Sequence, residues 1–127
     1  MTDPETYTGT TELELADEAA RAVRELNHRT RHPDALAGPA QLYRLVGELV
    51  LLANSLPQLL DQLGCWLDTA HDADRVRADD HADPGPTVTR ATTQLADAAD
   101  AARDLAHLLG RAQQHLAHLG APTGDPP

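Results

Sequence analysis

The sequence contains no Lys, no Ile and no Phe, and it has one Trp, one Cys and two Tyr. Strands are rich in β-branched and aromatic residues, and here the apolar content is almost wholly Leu, Ala and Val. A β-rich fold is thereby excluded on composition. The single Cys65 excludes an internal disulfide. The longest apolar run is residues 49–53, far too short to cross a bilayer. The first ten residues carry neither a basic nor an apolar stretch, so no signal peptide is read there and a cytoplasmic protein is expected. Basic residues are few, 10 against 20 acidic, for a formal charge of −10. Phosphate binding needs a basic face, so neither nucleic acid nor membrane is an expected partner. All the basic residues are Arg, and this bias is that of a high-GC genome.

What is present is helical periodicity. From Leu42 the apolar residues follow as Leu45, Leu49, Leu52, Leu56, Leu59, Leu63, Trp66, Ala70 and Ala73, in strict alternation of three and four. This is the seam of a long helix packed along its length. A second row, Val46, Ala53, Leu60 and Leu67, lies beside it, and the apolar arc spans roughly 160° at 100° per residue. A later helix repeats the alternation through Val88, Ala91, Leu95, Ala98, Ala102, Leu105, Leu109, Ala112, Leu116 and Leu119. Its first half is Ala-rich and admits a close partner.

Thr11 and Glu14 have the spacing of a capping box, which predicts a first helix from about Glu12 to Arg31. Its inward face would be Leu15, Ala16, Ala19, Ala22, Val23 and Leu26, with Asp17–Arg21 and Glu25–Arg29 as surface pairs. Pro33 stops it, and Pro39 suits the first turn of the next. That next helix is expected to fray near Asp80, ahead of a turn over residues 81–86, with Thr87 capping the last helix.

The expected fold is all-α: an antiparallel bundle of three helices whose long second helix is kinked at Pro57. The alternative is a four-helix bundle broken at Asn54–Pro57, with Ser55 as the new N-cap. One domain is expected over residues 11–120, between tails at 1–10 and 121–127. In the three-helix arrangement the first helix is too short to cover the far end of the hairpin. Leu60 and Leu67 would then face water, at a cost of roughly 3–5 kcal/mol, and such a patch marks an interface. Self-association as a homodimer is therefore expected through Leu60, Gly64 and Leu67, with Trp66 close by. A helical partner protein would suit the same surface.

Catalytic signals are weak. The sequence has no Gly-rich phosphate loop, and Cys65 has no evident His partner. His107, His115 and His118 fall on the face opposite the seam, as solvated residues would. The expectation is a non-enzymatic adaptor or regulatory bundle with no metal, cofactor or catalytic residue. The competing reading is a small metal-dependent helical enzyme or metal binder that uses His71, Asp72 and nearby carboxylates. One stretch, Leu56–Pro57–Gln58–Leu59–Leu60–Asp61–Gln62–Leu63 with Trp66–Leu67, resembles small uncharacterised helical proteins of high-GC actinobacteria, some in mobile elements. The resemblance covers about a dozen residues and implies an accessory or regulatory role without known chemistry.

Overall fold

The structure is a computed structural model that describes residues 10–122; the two expected tails lie almost wholly outside that range. It holds three helices, α1 (Glu12–Arg29), α2 (Pro39–Asp72) and α3 (Gly85–Leu116), and no strand among the described residues. Where the sequence suggests one domain, the chain divides into two compact units, Met1–Ala37 and Gly38–Pro127.

In the first unit, the Thr11 hydroxyl accepts the Glu14 N–H at 3.1 Å and starts α1 as its spacing predicts. At the other end the Thr30 N–H and hydroxyl both return to the Leu26 carbonyl, at 2.9 and 2.7 Å. Asp17–Arg21 and Glu25–Arg29 each close at 2.8 Å. Such exposed pairs add roughly 0.3–0.5 kcal/mol apiece. The expected inward face is not buried: no residue of α1 is, and Leu15, Val23 and Leu26 remain 39%, 41% and 36% exposed.

In the second unit, α2 begins at Pro39, whose missing N–H is lost at no cost in the first turn. Its 34 residues span about 51 Å and run without interruption through Pro57. The four-helix alternative is thus set aside. Ser55 does not cap a new helix; its hydroxyl returns to the Leu51 carbonyl at 2.9 Å inside the continuous one.

α2 ends at Asp72, well before Asp80. The stop is built by Asp74, which takes a left-handed conformation (φ 56°). The Arg75 N–H then reaches the Ala70 carbonyl at 2.8 Å, and the Asp74 N–H reaches that of His71 at 3.0 Å. This paired return is a Schellman motif, with Asp in the place usually held by Gly. In the loop that follows, Asp80 accepts the Ala82 N–H and Asp83 accepts the Gly85 N–H, each at 3.0 Å. Thr87, expected to cap α3, lies inside its first turn; the N-cap position is Pro84, which offers no side-chain cap, and Asp83 holds the Gly85 N–H in the turn just before it.

α2 and α3 run antiparallel and pack along their lengths. Asp61 meets Arg103 at 3.1 Å near the middle, while Gly47 lies against Gln113 near one end. The core between them is small: Ala53, Ala70, Val88, Ala99, Ala102 and Ala106 are its buried hydrophobic residues, joined by Pro57 and Gly64. No larger side chain is fully buried.

A candidate interaction surface

The burial pattern shows which row of α2 turns inward. Of the expected seam, Ala70 is buried, Leu42, Leu45, Leu49 and Leu56 are half-buried, and Leu52, Leu59, Leu63, Trp66 and Ala73 are exposed; in the row beside it Ala53, Pro57 and Gly64 are buried, and Val46, Val50, Leu60, Leu67 and His71 are half-buried. The row from Val46 to His71 again alternates by three and four and lies one row round from the leucine seam. On α3 the matching row is Val88, Thr92, Leu95, Ala99, Ala102, Ala106, Leu109, Gln113 and Leu116. Five of the ten residues of the seam expected on α3 are in this row, Ala91 is half-buried beside it, and Ala98, Leu105, Ala112 and Leu119 are exposed.

The shift has a steric cause. Ala99, Ala102 and Ala106 let α3 approach closely, which favours small or flat residues of α2 at the fully buried positions. Ala53, Pro57 and Gly64 meet that condition, whereas a row of leucines does not. The exposed leucines of the seam, Leu52, Leu59 and Leu63, lie outside that contact.

The expected interface residues are accordingly separated. Gly64 is buried, and Leu60 and Leu67 are half-buried in the row facing α3. Leu60 and Gly64 line one shallow groove together with Thr92 and Leu95 of α3. They form the hairpin's own contact, not a water-exposed patch. Trp66 is 62% exposed, with the Arg75 guanidinium 6.0 Å from its ring centre.

The hairpin has two unlike flanks. One carries the Asp61–Arg103 bridge, and Asn54, Asp68 and Gly110 lie along it. In an antiparallel pair, residues just past the seam on one helix face their counterparts on the other, so the opposite flank is equally defined. There stand Leu49, Leu56 and Leu63 of α2 beside Ala91, Ala98, Leu105 and Ala112 of α3. Immediately outside them on α2 are Leu52, Leu59 and Trp66, and on α3 Leu108. Leu52, Leu59, Leu63 and Leu105 are each between 42% and 48% exposed. The rim on the α2 side, Glu48, Ser55, Gln62 and Thr69, carries a single charge.

His107, His115 and His118 are exposed, as their positions predict, and Cys65 is an exposed free thiol. His71 is half-buried and Asp72 exposed at the end of α2. Among the described residues no three His, Cys, Asp or Glu side chains come close enough to hold one metal ion. No helix among them is long and apolar enough to cross a membrane. Compared with models of protein families, with curated proteins and with solved structures, the chain matches none.

Proposed function

We propose that this chain is a non-enzymatic interaction module, an adaptor or regulator that self-associates through the leucine flank of the α2–α3 hairpin. The observation that carries this reading is the inversion of the hairpin: the buried side chains are small, and large ones stand exposed. Burying a Leu or Trp side chain is worth about 1.5–3 kcal/mol, whereas a buried Ala contributes a single methyl, about 0.8 kcal/mol. Leu52, Leu59, Leu63, Leu105 and Trp66, each between 42% and 62% exposed, thus hold hydrophobic stabilisation that the hairpin alone leaves unused. A contiguous apolar strip that carries no charge of its own is the composition of an interface centre. A second hairpin laid on this flank gives a four-helix arrangement with the leucines inside. The resemblance of residues 56–67 to small actinobacterial helical proteins fits an accessory role of this kind. This reading moves the proposed surface one row away from Leu60, Gly64 and Leu67, which lie in the row facing α3.

The test is solution molar mass by light scattering over a dilution series, with reductant present. Trp66, the only Trp, reports the same event through its emission maximum. The wild type is expected to be a dimer whose emission moves to the red as it dissociates. Leu59→Glu with Leu63→Glu should lower the molar mass at matched concentration and abolish the shift of Trp66 emission on dilution. A wild type that is monomeric throughout refutes the reading.

A further inference from the structure

Every residue of α1 is exposed, its apolar stripe included. The stripe runs Glu12, Leu15, Ala19, Ala22, Leu26, Arg29, and its spacing of 3, 4, 3, 4, 3 is the same read in either direction. The apolar residues are also symmetric about its centre, with Ala flanked by Leu. The two ends differ in charge alone.

We propose that α1 pairs antiparallel with α1 of a second copy of this chain. Leu15 then meets the second copy's Leu26, Ala19 meets its Ala22, and Glu12 meets its Arg29. The two-fold axis repeats each layer. Alanine at both central layers allows the backbones to come to the near end of the usual 8–10 Å. The orientation is set by charge. From Glu12 to Glu18 the helix holds four carboxylates and no base, whereas Arg21, Arg24 and Arg29 follow with Glu25 as the sole acid. A parallel pair sets like against like along the whole helix; an antiparallel pair lays each acidic half on a basic one. Glu25 is already held by Arg29 at 2.8 Å, and the five-donor guanidinium of Arg29 has hydrogens left for the second copy's Glu12. This contact is independent of the hairpin flank.

The test uses the full-length chain in sedimentation experiments at matched concentrations. Glu12→Arg and Arg29→Glu are made separately. In either variant alone both charged layers become like-charged, and self-association should weaken about tenfold, two exposed pairs having been reversed. In an equimolar mixture both layers are again Glu against Arg, and association should return to the wild-type level. A contact made only by the hairpin flank is blind to both substitutions, so the two proposals fail separately. Wild-type association by each variant alone, or a mixture that associates no better than its components, overturns the pairing. In a Cys65→Ser background, Ala19→Cys mixed with Ala22→Cys should cross-link on oxidation faster than either alone. Equal rates would overturn it equally, even if a charge variant has lost helix.

Discussion

Gly64 offers a sharp check on which surface of α2 is covered. It sits in the interior of a 34-residue helix, where Gly is roughly 0.8–1.0 kcal/mol less favourable than Ala. It is buried, yet a Cβ built on its backbone has no heavy atom within 4 Å. Gly64→Ala therefore gains the propensity term with no steric cost, and the net effect should be a stabilisation of about 1 kcal/mol. For a unit of this size that raises the unfolding midpoint by roughly 4–8 °C. Thermal unfolding followed by far-ultraviolet circular dichroism is the assay. Two further glycines calibrate it. Gly110 also has nothing within 4 Å of an added Cβ, so Gly110→Ala should gain a similar amount. At Gly47 the added atom would lie 2.6 Å from the Gln113 amide nitrogen, so that side chain must move and Gly47→Ala should gain less. A fall in stability for Gly64→Ala, or a loss of self-association, would refute the reasoning. It would mean that the backbone of another chain lies against Gly64, as in the interface first read from the Leu60–Leu67 row.

Asp74→Gly should stabilise the second unit by about 1 kcal/mol, because a left-handed residue with a Cβ is strained where Gly is not; chemical denaturation at constant slope would show it. Pro57→Ala restores a donor for the Ala53 carbonyl, about 3 kcal/mol, and gives up two buried ring methylenes, about 1.6 kcal/mol; a net gain near 1.4 kcal/mol is expected in the same assay. Ala99→Leu adds bulk at a fully buried site and should cost about 1–3 kcal/mol in thermal unfolding, whereas Ala98→Leu, on the exposed row, should cost little. Arg103→Ala removes a half-exposed bridge and should change stability by less than about 1 kcal/mol, with a difference that shrinks in high salt.

The sequence was informative where a single residue type dictates a local geometry. Thr11 starts α1, Pro39 starts α2, and the unbroken register across Pro57 marks one helix instead of two. It was less so where two rows competed. The arc of α2 is wide enough to hold two seams, and the richer one, in Leu, reads as the core. The choice between them is made by α3, whose alanines favour a thin neighbour, and that is a property of the pair. The end of α2 at Asp72 was hidden for a similar reason. Asp is an unusual residue to close a Schellman motif, and the helix-compatible residues after it gave no warning. Leu60, Gly64 and Leu67, expected on an open surface, thus lie in the row that faces α3.

The alanine core also bears on how the two helices are held against sliding. Interlocking bulky side chains form a ratchet, each knob lodged in one hole. A track of mostly small side chains gives fewer such lodgements, the larger ones in it, such as Leu60, Leu67, Leu95 and Leu109, being only half-buried. What indexes α2 against α3 is a short set of stops: Gln113 lodged at Gly47, Asp61 tied to Arg103, and the loop of residues 73–84, which fixes where the chain turns back. The hairpin therefore keeps its register as a tape loop does, by its length. A cut in that loop would leave both helices intact and free to creep along each other.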